Sequence, residues 1–214
     1  MKALYKVMLT LWLSLGLGAS LPALAAEKDA AGLLRQYLGE IQALQTDFQQ
    51  TVLDSDGYEL QSMTGQMIVA RPGFIRWQTE PPYEQLLVAN GTTLWLYDKD
   101  LEQVTVRPFM RDIADSPAML LIGDLVDLED RYRVTRGVGD EQSQVFTLVP
   151  VDNGGVYQRL ELRFQAQVPA GMTLWDSLGQ VTQVTFSQPK LNPSVDNSRF
   201  DFDIPPGVDV LTDD

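Results

Sequence analysis

Most of the chain alternates between apolar and polar positions. Gly65–Ala70, Phe74–Thr79, Gln85–Ala89, Thr92–Asp98 and Gln103–Val106 carry that period of two and are predicted strands separated by turn residues. Asn90-Gly91 predicts a type I′ hairpin turn, in which both central residues take positive φ. Asp98-Lys99-Asp100 reverses the chain again. Strands resume at Tyr132–Arg136, Gln144–Val149, Val156–Gln165, Met172–Trp175 and Val181–Ser187, with Gly154-Gly155 and Ser177-Leu178-Gly179 as turns. Leu160, Leu162 and Phe164 share one face, opposed to Arg159, Glu161 and Arg163; Thr182, Val184 and Phe186 repeat the pattern. One apolar face and one wet face indicate an antiparallel sheet. The tail Phe200-Asp201-Phe202-Asp203-Ile204 alternates as well and stops at Pro205-Pro206.

Two stretches break the period. From residue 29 to about 50, Leu33, Leu34, Tyr37, Leu38, Ile41, Leu44 and Phe48 fall on one stripe at helical spacing, which predicts an amphipathic helix with Asp29 as its N-cap. Ser116-Pro117 predicts the start of a second, short helix, apolar on every side from Ala118 to Ile122 and stopped at Gly123. A helix with no polar face must be covered all round or lie over an apolar space. About ten to eleven strands in meander order form a long twisted sheet that curls toward a barrel. The interior is then either a filled core or a cavity for an apolar ligand beneath a helical lid. With no repeat, linker or low-complexity segment, one domain is expected.

The N-terminus has its own pattern. Lys2 and Lys6 precede an apolar run from Val7 to Leu17, and Leu21-Pro22-Ala23-Leu24-Ala25-Ala26 offers small residues where a signal peptidase cuts. Residues 1–25 are therefore expected to be a cleaved signal peptide, with residues 26–214 as the exported domain. Taking residues 1–25 from the 214 leaves 189, ample for one core. The signal holds two of sixteen basic residues and none of twenty-nine acidic ones, so the mature chain has fourteen against twenty-nine and a net charge of −15. That excess disfavours nucleic acid and anionic headgroups as partners. Cysteine and histidine are both absent. Their absence removes a thiol nucleophile, a lipid-attachment cysteine, the commonest general base and the usual zinc ligands. No enzyme, metal or cofactor is expected.

Four segments in order resemble one family. Gly65-Gln66-Met67-Ile68-Val69-Ala70-Arg71-Pro72-Gly73-Phe74-Ile75-Arg76-Trp77 resembles a strand signature of the periplasmic outer-membrane lipoprotein carriers, the LolA family. Leu87 through Asp98 is similar to the Trp-bearing hairpin of that family, Ser116 through Leu121 to its lid helix, and Phe200 through Val208 to its closing strand. The resemblance implies an α+β, mostly β fold: an unclosed antiparallel β-barrel with a helical lid over a hydrophobic cavity. It implies a monomeric periplasmic chaperone of a Gram-negative bacterium that binds lipoprotein acyl chains. Cargo would come from an ATP-driven release complex of the inner membrane and pass to the outer-membrane receptor LolB. It implies that Arg71 bonds backbone carbonyls of the lid around Met119, Leu121 and Ile122. The implied lipid-binding wall is Ile75, Trp77, Leu87, Leu121, Leu160, Leu162, Val184 and Phe186. The rival reading is a sensor of mislocalised lipids or lipoproteins on the same half-barrel.

Overall fold

A computed structural model of the chain describes residues 22–109, 119–123, 125–126, 128–137, 139, 142–152 and 157–212. The predicted cap at Ser116-Pro117, the predicted turn at Gly154-Gly155 and most of the expected signal peptide lie outside these residues. The first element among the described residues is α1 (Pro22–Gly39), followed by β1 (Ala43–Leu53), β2 (Glu59–Ala70), β3 (Phe74–Thr79), β4 (Gln85–Asn90), β5 (Thr93–Asp98) and β6 (Gln103–Pro108). The short helices α2 (Met119–Ile122) and α3 (Leu128–Arg131) come next, then β7 (Tyr132–Arg136), β8 (Ser143–Pro150), β9 (Tyr157–Gln165), β10 (Val168–Asp176) and β11 (Val181–Leu191). A 3₁₀ turn (Asn197–Phe200) and β12 (Asp209–Thr212) close the chain.

The twelve strands of the described residues belong to one sheet, ordered β12-β6-β5-β4-β3-β2-β1-β11-β10-β9-β8-β7. Every pairing is antiparallel except β12 with β6, which is parallel. Two meanders, β1 to β6 and β7 to β11, thus join where β1 meets β11. The outermost strands β12 and β7 do not meet, and the barrel stays open.

The predicted helix over 29–50 is half strand. The helix already runs from Pro22, so Asp29 lies inside it rather than at its start, and it ends at Gly39. Gln42 Nε2 donates to the Gly39 carbonyl. Asn192 then accepts from the backbone N–H of Gln42 and of Ala43 and donates to the Glu40 carbonyl, fixing the junction. Beyond it Leu44, Thr46 and Phe48 are buried at every second position. Those apolar residues fit a period of two as well as one of 3.6, and pairing on both sides with β2 and β11 decides for the strand.

Two turns differ from expectation. In the β4–β5 hairpin only Gly91 takes positive φ, at 86°, while Asn90 ends β4 and its side-chain oxygen accepts from the N–H groups of Thr92 and Thr93. The expected closing strand at residues 200–204 is not one. Phe200 ends the 3₁₀ turn, whose Asp196 cap accepts from Ser198 N–H, and the strand forms only at Asp209–Thr212. Phe200 and Phe202 instead spend their apolar surface on the outer face of the sheet. The Phe200 ring lies 5.2 Å from that of Phe74, and Phe202 stands near Trp95 and Tyr97.

The inner face carries the main core. Leu34, Leu38 and Ile41 of the N-terminal segment pack there with Phe146, Leu148, Leu160 and Phe164. Tyr37 meets the rings of Phe146 and Phe164 edge-on, at 5.8 and 5.3 Å. Arg35 pairs with Glu129 and so ties α1 to α3. On β2, Gly65 faces inward between larger neighbours. A Cβ there would stand 2.0 Å from the Gln78 carbonyl oxygen and 2.7 Å from the Phe48 ring. Because nothing projects from Gly65, Phe48 reaches over β2 and lies on Trp77, with ring centroids 3.9 Å apart. Gly65→Ala should therefore lower the unfolding free energy by about 1–3 kcal/mol, as overpacking does. Urea unfolding at constant m-value measures it, and an unchanged midpoint would mean that the β2–β3 backbone gives way freely.

Candidate functional site

The inner face is not filled throughout. Between β1, β2, β3, β4, β10 and β11 lies a cavity of about 560 Å³. Ile75, Trp77, Leu87, Leu121 and Val184, all expected in the wall, line it. Leu160, Leu162 and Phe186 do not; they are buried in the packed core. The two leucines belong to β9, the side of the sheet against which α1 packs, and Phe186 stands opposite Phe48 in the β1–β11 register. α1 fills one half of the inner face, and the cavity occupies the other.

Sequence reading missed several wall residues. Met63 and Met67 share the inward parity of Val69 on β2, and Met172 and Leu174 stand opposite Leu162 and Leu160. Strand parity could have found Met67, Met172 and Leu174, whereas Met63 precedes the strand predicted at Gly65–Ala70. Gln50 was out of reach because its segment read as helix. Gln50, Gln61, Gln85, Thr79, Thr182 and Tyr83 form the polar part of the lining, and among the described residues none that lines the cavity is ionised at neutral pH. Thr79 is held by its own bonds: its hydroxyl accepts from Gln85 N–H and donates to the Tyr83 carbonyl. Gln85 Nε2 donates to Asp98 at 2.9 Å. That bond, with the backbone N–H groups of Leu101 and Asp100, holds the Asp98 carboxyl below the usual carboxylate range.

α2 caps the cavity. Its four residues Met119–Ile122 are all buried, and Leu121 points into the lining. Arg71, at the end of β2, ties it down. Arg71 Nη2 donates to the Leu120 carbonyl at 2.8 Å, Nη1 to the Gly123 carbonyl, and Nε to the Ile41 carbonyl at 2.9 Å. The expected acceptors Met119, Leu121 and Ile122 are thus not the acceptors seen at this guanidinium. The Met119 carbonyl is taken by Gly123 N–H, closing the single helical turn, and the Ile122 carbonyl by Gly73 N–H at 2.9 Å. Leu120 and Gly123 present the carbonyls that a one-turn helix leaves over, and the guanidinium meets both. Gly73, at φ 79°, is close to Gly91 and Phe109, where a Cβ would come within 3.0 and 3.1 Å. Its bare backbone lets the β2–β3 turn reach α2.

An uncharged, largely apolar cavity beneath a hydrogen-bonded cap is a site for an apolar ligand. The sequence pattern of the family described as outer membrane lipoprotein carrier protein LolA matches residues 39–203. An outer-membrane lipoprotein carrier protein of Azotobacter vinelandii is 41% identical over 190 residues, covering 87% of this chain and 89% of the relative. One from Pseudomonas aeruginosa is 38% identical over 198 residues, covering 92% and 94%. The chain belongs to the LolA family of outer-membrane lipoprotein carriers. Among solved structures, an uncharacterized conserved protein from Thermus thermophilus shares the fold with a TM-score of 0.53 at 13% identity, covering 87% of this chain and 98% of that one. MucB shares it at 0.50 and 14%, with 86% and 66% covered.

Removing the guanidinium should loosen the cap. A hydrogen bond to a charged group contributes about 1.5–3 kcal/mol. Arg71→Leu is therefore expected to speed hydrogen exchange at Gly73 and Gly123 roughly ten- to hundred-fold by favouring local opening. Unchanged protection of these two amides would show that side-chain burial alone holds α2.

Proposed function

We propose that this protein is a periplasmic carrier of lipoproteins, holding their acyl chains in the cavity under α2 and Arg71. Membership of the carrier family and an uncharged, largely apolar lining support the cargo class. Cargo is taken from an ATP-driven release complex in the inner membrane and given to an outer-membrane receptor of the LolB kind. The protein works as a monomer, and its mature chain starts near Ala26, within α1. It carries out no chemical reaction on its cargo.

The observation that carries this reading is the three-way tie at Arg71. Each buried methylene contributes about 0.8 kcal/mol, so three long chains fully enclosed represent tens of kcal/mol. Release would then be far too slow. A carrier needs partial enclosure and an empty form stable in its own right. Bonds from Arg71 to Leu120 and Gly123 supply that stability when the cavity is empty, and they break as chains push α2 aside. The latch acts on the difference between the two states. Loading breaks it, and delivery restores it.

Arg71→Leu should therefore accept lipoprotein at least as readily as the parent but pass it on several-fold less completely. A two-step transfer assay with isolated inner membranes and soluble receptor measures both. Unchanged loading together with unchanged delivery would remove the latch from the mechanism. Mass analysis of what co-purifies with the protein from a native periplasm tests the cargo itself: triacylated proteins are expected, and free phospholipid alone would favour the sensor.

A further inference from the structure

The cavity has two chemically different ends. Ile75, Trp77, Leu87 and Leu121 form the wall toward α2. Gln50, Gln61, Gln85 and Thr182 line the other end beside Met63 and Leu174, where β1, β2, β4 and β11 turn away from the lid. From Gln61 to Arg71 the chain runs ten residues, about 33 Å of extended strand. The rim just beyond is acidic. Asp98 accepts from Gln85 Nε2 and Glu59 is exposed there, while Lys99 is engaged by Glu84.

An apolar wall cannot tell one lipid class from another, because phospholipids and acylated proteins carry the same long chains. Any choice between them has to be made where the chains are joined to something polar. A glutamine amide offers two donors and an acceptor. Ester carbonyls need donors, and an acyl amide needs one of each, so neutral amides suit both linkages. A phosphate in the same place would find no cation among the lining residues and would face the carboxylates of the rim. Stripping an ion of water without a partner is costly, and the surrounding field would repel it.

We propose that the amide-lined end formed by Gln50, Gln61 and Gln85 is a headgroup filter, admitting the uncharged ester and amide linkage of an acylated protein N-terminus and rejecting glycerolipids that bear phosphate. The filter rests on the carrier reading above and adds to it the discrimination that the apolar wall lacks. Chains enter toward α2, and the linkage stays among the glutamines.

Two probes with two palmitoyl chains each separate the possibilities: an uncharged N-acetyl, S-(dipalmitoylglyceryl)-cysteinyl peptide amide and dipalmitoyl phosphatidylglycerol, each offered to the delipidated full chain in neutral detergent and followed by native mass spectrometry. The parent protein should bind the peptide at least tenfold tighter. Gln61→Lys, a change at a half-exposed position, should bring that ratio down toward one, and Gln61→Glu should raise it. Circular dichroism checks that both variants fold. Equal binding of the two probes by the parent, or a ratio unmoved by both substitutions, would overturn the filter while leaving the carrier intact. Failure of the folded parent to bind either probe would overturn the carrier reading itself.

Discussion

The controlling constraint is one of coverage. Twelve strands at about 4.8 Å spacing make a sheet more than 50 Å across, and most of its inner face is apolar. Among the described residues the chain supplies one helix of eighteen residues, some 27 Å long and about 10 Å wide, and the one-turn helices α2 and α3. α1 can fill only part of that face, and it fills the part formed by β7, β8 and β9. Among the described residues, nothing of comparable bulk lies on the apolar residues of strands β2, β3 and β4. The cavity follows from this shortage and not from any special cavity-forming element.

A shortage of cover would ordinarily make a sheet collapse or aggregate. Here the outer face and the edges are managed separately. The segment around Phe200 and Phe202 covers Ile68, Val88, Phe74 and Trp95 on the outside, so the strands that border the cavity are supported from behind. β12 then covers the free side of β6 by parallel pairing. Inside, the small α2 is kept in place by polar bonds at its ends as well as by its buried side chains. A cover held by a few directional bonds can have two positions, whereas a fully packed one has a single position.

The amphipathic period revealed the sheet because most strands have one buried and one wet face, and strand ends fell within a few residues from β3 through β9. It failed at β1, where Leu44 and Phe48 satisfy both periods and only partners far along the chain decide. It failed at residues 200–204, where Phe200 and Phe202 alternate yet pack against the back of the sheet. Five of the eight expected wall residues line the cavity. The three that do not, Leu160, Leu162 and Phe186, have the right parity, but parity says which face a residue is on and not which half of that face α1 occupies. Arg71 meets the turn around Met119, Leu121 and Ile122 as expected of it, but at the carbonyls of Leu120 and Gly123, those of Met119 and Ile122 being taken by the N–H groups of Gly123 and Gly73.

Trp77 lends itself to a different use. Its indole lies against Phe48 on one side and borders the cavity on the other, whereas Trp95 sits near Phe202 on the outer face and Trp175 beneath the guanidinium of Arg159. Among the described residues it is the one fluorophore of its kind placed where an incoming hydrocarbon would touch it. Occupancy of this molecule is therefore written into its own emission spectrum, and filling and emptying can be watched without attaching a dye.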